Sequence, residues 1–213
     1  MQEFETLIEK AKKVLDGRTA ARDQALAQAR QLTRLSAHTI RAIHRDDTQQ
    51  ADELLMEARV LTLNIQRDLA SYPDLYHAGY TQDAIKEFAE ASLTVALITN
   101  VPLPSPEDLG IEYATYLNGL AESIGELRRK CLDILRMGYS EDAERLLAAM
   151  DEIYNVLVTM DYPDAITNGL RRQTDLVRGI IERTRADLTL SLREQHLQEA
   201  LQKFAAKFPG MEG

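Results

Sequence analysis

Residues 115–135 read TYLNGLAESIGELRRKCLDIL, and this stretch decides the fold class. Leu117, Leu120, Ala121, Ile124, Leu127, Cys131 and Leu135 recur at steps of three and four, the spacing that lines one face of an α-helix. Thr115, Gly119, Glu122 and Glu126 lie on the other side. Two acids at i,i+4 sit one above the other and repel by roughly 0.2–0.5 kcal/mol. A glycine in mid-helix, here Gly125, costs about 1 kcal/mol relative to alanine. Thr115 and Gly119 are small and leave room beside the acids, as a bound ion or an approaching backbone would need.

Working outward, nearly all of the chain reads the same way. One helix is expected over 2–45 and a second over 48–71, before Pro73. A third enters after Gly79 with Thr81 as N-cap. A fourth runs over 107–137 and stops at Gly138, a fifth covers 140–160, and two more fill 166–207. No segment alternates as a half-buried strand does. GYTQDA at 79–84 echoes GYSEDA at 138–143, and YPD occurs at 72–74 and 162–164. The two spacings differ, so they mark no repeat array. The expectation is all-α: one domain over 1–213, with 208–213 disordered.

The chain has 213 residues, 45% hydrophobic and 28% charged, ordinary for a soluble globular protein. Cys131 is the only cysteine, which excludes an intrachain disulfide and a cysteine-based zinc site and suits a reducing interior. The start, MQEFETLIEKAKK, is no signal peptide. The longest apolar run, ASLTVALIT, is far short of the ~20 residues that span a bilayer. A cytoplasmic protein without a membrane partner is expected.

The net charge of −9 argues on its face against nucleic acid, but it is unevenly spread. Residues 24–45, QALAQARQLTRLSAHTIRAIHR, contain no acid in a chain with 34. They carry +4, which leaves −13 for the rest. Arg30, Arg34, His38, Arg41 and Arg45 fall within a helical arc of about 80°, opposite Leu32, Leu35 and Ile43. Solvated faces usually mix signs. A face of one sign invites an anionic partner: a phosphate backbone or an acidic helix, with bare solvent as the third reading. Arginine's fork favours phosphate.

A second acid pair, Glu87 and Glu90, lies in KEFAEAS at i,i+3. After Glu90 the helix turns apolar on every side, so Glu90 stands at the mouth of a buried segment, where an unpaired charge is expensive. Lys130 follows Glu126 by four and reads as its surface partner. Four carboxylates on two helices make an all-oxygen set for Mg²⁺ or Mn²⁺, although such pairs are also common on solvated faces. A ferritin-like di-iron site is disfavoured, because neither pair has a histidine three residues on.

TYLNGLAESIGELRRKC at 115–131 resembles the translin/TRAX family segment that reads roughly DYL-x-G-x-x-D-L-x-G-E-L-x-R-x-C. KEFAEA at 86–91 resembles its Q-E-Y-V-E-A, RLSAHTIRAIHR at 34–45 its early basic helix, and MDEIYNVL at 150–157 a later segment. The resemblance implies a translin-like bundle of about seven helices, assembled into hollow octamers that enclose RNA. In the TRAX branch it implies a metal-dependent endoribonuclease using two acids from each segment. Glu87, Glu90, Glu122 and Glu126 stand at all four matching positions, so the chain looks TRAX-like, of a prokaryotic or archaeal kind, with Mg²⁺ or Mn²⁺ as cofactor. Glu122 departs from the family's Asp by one methylene. Arg30, Arg34, His38, Arg41 and Arg45 would hold RNA, single- or double-stranded, or single-stranded DNA. The rival readings are a non-catalytic RNA- or DNA-binding scaffold and a helical protein-interaction module.

Overall fold

The computed structural model describes residues 2–207, with side chains from residue 3. The expected disorder over 208–213 lies outside the described residues. Among these, the regular elements are all helical: α1 (Gln2–His44), α2 (Thr48–Asp68), α3 (Pro73–Tyr76), α4 (Gly79–Thr99), α5 (Pro106–Leu109), α6 (Tyr113–Leu135), α7 (Glu141–Leu157), α8 (Asp164–Thr167) and α9 (Leu170–Ala205). Six are long, and α3, α5 and α8 are single turns.

The fourth expected helix divides at Gly110, which caps α5 at φ +68°, a conformation that costs glycine little. The side-chain amide of Gln66 donates to its carbonyl and fixes the break against α2. The final stretch, expected as two helices, is the turn α8 followed by one 36-residue helix. Gly17 does not interrupt α1. Thr81 does not cap α4, which begins at Gly79; its hydroxyl instead donates to the Leu75 carbonyl at 2.8 Å, tying α4 to the α3 turn.

The layers follow from the apolar faces. α1 packs on α2 and α4, α4 packs on α6, and α6 packs on α7 and α9. The seam read from residues 117–135 is the spine of the second half: Ile124, Leu127 and Cys131 are fully buried against Leu146, Met150, Val177 and Ile181. Burying each large aliphatic side chain there contributes about 1.5–3 kcal/mol. The first half closes over Leu32, Ile65, Ile85 and Phe88. α4 serves both halves, with Phe88 in one and Leu93 in the other, which explains why its sequence is apolar all round. No helix of the described residues is long and apolar enough to cross a membrane.

Candidate metal centre

The site begins with a small residue. A Cβ placed on Gly119 of α6 would lie 2.8 Å from Ala89 Cβ, 3.0 Å from the Glu90 amide nitrogen and 3.1 Å from the Lys86 carbonyl oxygen. Only glycine lets the backbone of α4 come this near. The room anticipated beside the acids is thus filled by α4 itself, and Thr115, also buried there, donates to Gln82 Oε1 at 2.7 Å. This contact sets the acid pair of α4 against that of α6.

Glu87, Glu90 and Glu122 each offer a carboxylate oxygen, and these atoms lie within 4.8 Å of one another. All three are half-buried. Glu126 stands close enough for its charge to act on Glu90, but its carboxylate accepts a hydrogen bond from His44 Nε2 at 2.6 Å. Arg129 Nη1 approaches the same oxygen at 3.7 Å. Lys130, expected beside Glu126, is buried and donates instead to Asp46 Oδ1 at 2.5 Å, pinning α6 to the end of α1.

The electrostatics follow from burial and like charge. Burial first, then the charges of Glu87, Glu122 and Glu126, pushes Glu90 up to about 8. Burial also raises Glu87, with Lys86 opposing. Glu126 moves the other way: the His44 hydrogen bond holds it below the ordinary carboxylate range against the effect of burial. Lys86 Nζ donates to Glu122 Oε1 at 2.8 Å, and Gln173 Nε2 donates to the same oxygen at 2.9 Å. Burial pulls Lys86 down, but Glu122, Asp83 and Glu87 outweigh it and its ammonium is raised.

Within this cluster, Lys86 is the cation bonded to an acid of the trio. Burial, reinforced by the remaining negative charge, keeps Glu90 protonated near neutrality. Across an ion bonded at about 2.1 Å, opposite oxygens stand about 4.2 Å apart, so small side-chain rotations would close the trio on one. The donor set is all oxygen and the ion would offset the repulsion. Glu87, Glu90 and Glu122 therefore fit a hard divalent cation such as Mg²⁺ or Mn²⁺.

The basic stripe is also in place. Arg30, Arg34, His38 and Arg41 are exposed on α1 and Arg45 is exposed in the turn just past its end, while Ala29, Leu32, Ile40 and Ile43 are buried behind them. Arg41 Nε donates to the Ala37 carbonyl at 3.1 Å and Arg45 Nη2 to Gln50 Oε1 at 3.0 Å. None of the five meets a carboxylate among the described residues. His44 follows Arg41 by three, so the stripe runs down α1 toward the residue that grips Glu126.

Sequence reasoning missed His44, Lys86, Arg129 and Gln173. His44 had a faint signal, a histidine at the border between a basic face and a core face. Its side chain is only 4% exposed, and its Nδ1 is buried without a hydrogen-bond partner. Gln173 comes from α9, and no local pattern announces it.

No protein-family model matches the chain. It is 31% identical over 192 residues to the uncharacterized protein MJ0175 of Methanocaldococcus jannaschii, covering 89% of this chain and 84% of the relative. Among solved structures it is similar to AfC3PO in complex with duplex RNA, at 33% identity and TM-score 0.82, over 88% of this chain and 97% of the other. AfC3PO described by itself gives 32% and 0.81 over the same shares. Apo-NeC3PO, at 24% identity and TM-score 0.77 over 90% and 98%, shares the fold. With a third of its residues identical over nearly the full length of AfC3PO, the chain belongs to the C3PO, or translin/TRAX, family.

Proposed function

We propose that the protein is an RNA-binding endoribonuclease dependent on Mg²⁺ or Mn²⁺. The observation that carries this reading is the convergence of Glu87, Glu90 and Glu122 from two helices. Those three side chains would hold the ion, and Glu126, fixed by His44, orients the attacking water. When bound, the ion polarises a phosphoryl oxygen and stabilises charge on the leaving oxygen. Lys86 neutralises Glu122 until then. Arg30, Arg34, Arg41 and Arg45, with His38, hold RNA through phosphates, reading shape more than sequence. The RNA duplex bound by AfC3PO supports that choice of partner. Phe4, Leu7, Ile8, Val14 and Leu15 form an exposed apolar stripe on α1, which suits a homo-oligomeric shell, an octamer on the family pattern. Buried Cys131 suits the cytoplasm.

One observation favours a second reading, a non-catalytic RNA- or single-stranded DNA-binding scaffold: Lys86 Nζ already occupies Glu122 as an internal cation. Labelled RNA incubated with Mg²⁺, with Mn²⁺ and with chelator separates the two. Cleavage is expected with metal alone and lost in Glu126→Gln. Metal-independent retention of intact RNA would establish the scaffold, and cleavage by Glu126→Gln at the parent rate would refute the assignment of Glu126.

A further inference from the structure

Beside the carboxylates, on the far side of Lys86, lies a cavity of about 290 Å³. Its walls come from α4, α6, the end of α8, the start of α9 and His77 in the link between α3 and α4. No aliphatic side chain lines it; amides, a hydroxyl and charged groups do. Lys86 and Gln173 are shared with the metal centre, since both donate to Glu122 Oε1. The cavity and the carboxylates are therefore neighbours through two side chains.

Its polar groups are held in fixed orientations. Asn118 is 4% exposed, and its Nδ2 donates to the Ala114 carbonyl at 2.9 Å and the Thr167 carbonyl at 2.8 Å. Both amide hydrogens are spent, so its Oδ1 is left as an acceptor with no partner among the described residues. Gln82 is likewise fixed, accepting from Thr115 and donating to the Tyr76 carbonyl at 2.9 Å. Asn168 lines the rim in a left-handed conformation, φ 52°, with no side-chain hydrogen bond among the described residues. Gln173 keeps its Oε1 unbonded.

The charge balance says what such a cavity admits. Its ammonium, Lys86, is already paired with Glu122, the His77 imidazole stands 3.7 Å from the Glu112 carboxylate, and Asp83 adds a negative charge. An anion is disfavoured inside. A neutral polar group with both donors and acceptors is favoured, and carboxamides are the side chains that read base edges of unstacked nucleotides. The volume is at the small end of the ~300–1,000 Å³ range of small-molecule sites, enough for one nucleoside and too small for a base pair. We infer that this cavity is a nucleoside subsite, which takes one splayed-out base and its ribose from the RNA strand while the adjoining phosphate lies toward Lys86 and the carboxylates. Its role in cleavage rests on the reading above, but its occupancy does not.

Two variants test the cavity without touching the carboxylates. Asn168→Gly removes the free amide and keeps the left-handed backbone. Gly79→Leu fills the cavity from the start of α4, where an added Cβ meets nothing within 4 Å. The four ribonucleoside 5′-monophosphates are titrated into metal-free parent protein and both variants, followed by amide NMR shifts. Parent binding at millimolar concentration or better is expected, with shifts on Asn118, Asn168 and Gln173, unequal affinities among the four bases, and at least tenfold weakening in both variants. With single-stranded RNA, both variants should raise KM severalfold while kcat and Mn²⁺ affinity stay at the parent's values. No mononucleotide binding to the parent, or equal binding by all three proteins, overturns the subsite. Mononucleotide binding that is lost in the variants, in a protein that cleaves no RNA, sustains the subsite and refutes the nuclease reading alone.

Discussion

Replacing Glu90 by glutamine should stabilise the metal-free protein, and by an amount that depends on pH. In the folded chain Glu90 ionises near 8, against an ordinary value of 4.5. Below the ordinary value the group is neutral in both folded and unfolded states and has no effect. As pH rises toward 8 the unfolded chain releases this proton and the folded chain retains it, so the parent loses stability across that window. Each unit of separation is worth about 1.36 kcal/mol, so the cost approaches about 3 kcal/mol at neutrality and about 5 kcal/mol once the folded group has ionised. Residual solvent access at Glu90 screens part of this, and about half is the realistic expectation. Glutamine has the same shape and no charge, so it should recover that stability.

The assay is urea unfolding of parent and Glu90→Gln in chelator, at roughly pH 5, 7 and 9. The two should be nearly equal at the acid end, and the variant should lead by about 2–3 kcal/mol at the alkaline end. Adding Mg²⁺ or Mn²⁺ should close the gap by stabilising the parent more than the variant, since ligand binding to the native state adds RT ln(1 + [L]/Kd). A variant that is no more stable than the parent at any pH would refute the reasoning, because Glu90 would then bear no burden from its neighbours.

Gly119→Ala should destabilise the fold by about 1–3 kcal/mol, since the new Cβ would stand 2.8 Å from Ala89 Cβ and 3.0 Å from backbone. Mn²⁺ affinity, read by calorimetry, should fall with it as α4 is pushed off α6. Gly125→Ala should do the opposite and gain up to about 1 kcal/mol in urea unfolding, because its Cβ meets nothing within 4 Å. His44→Ala should let the Glu126 carboxyl rise toward its ordinary value, visible in a carboxyl-carbon NMR titration. Glu126 supports the fold above its unfolded pKa and loses that support as pH falls through its lowered folded value, so the variant's deficit should be larger near neutrality than in acid. Changing Arg30, Arg34, Arg41 and Arg45 together to glutamine should leave unfolding unchanged and flatten the salt dependence of RNA binding by about 3 log units per decade; an unchanged slope would remove the stripe from the interface.

The parts of this molecule legible in the sequence are those with a local period. The seam from Leu117 to Leu135, the all-round burial of α4 and the basic arc on α1 each repeat at helical spacing, and each lies where that spacing places it. The acid pairs were legible as pairs. Their meeting was implied only by the family resemblance and not by spacing, because it depends on Gly119 and on which helix packs there. Lys130 shows the same boundary: spacing offers it Glu126, but its burial at the junction with α1 gives it Asp46, beyond the end of another helix. His44 escaped for a related reason. A helical-arc argument selects residues that face outward together, and His44 sits at the edge of that arc, turned inward.

The two glycines of α6 therefore have different physical causes. Gly119 is required by packing, since any side chain there would hold α4 away and relax the crowding of Glu87, Glu90 and Glu122. Gly125 is required by nothing in the fold: it is exposed, has open space where a Cβ would go, and still carries the helical cost of glycine. The carboxylate cluster likewise opposes folding, and the helices are brought together where their charges repel most. A chain arranged only for stability would keep neither feature. Both sit on the same outward side of α6, one raising the charge density of the site and the other leaving the surface beside Glu122 and Glu126 bare. On the proposed reading these defects have one cause, a cation that neutralises the cluster and a nucleic-acid backbone that must come within contact distance of the helix to reach it.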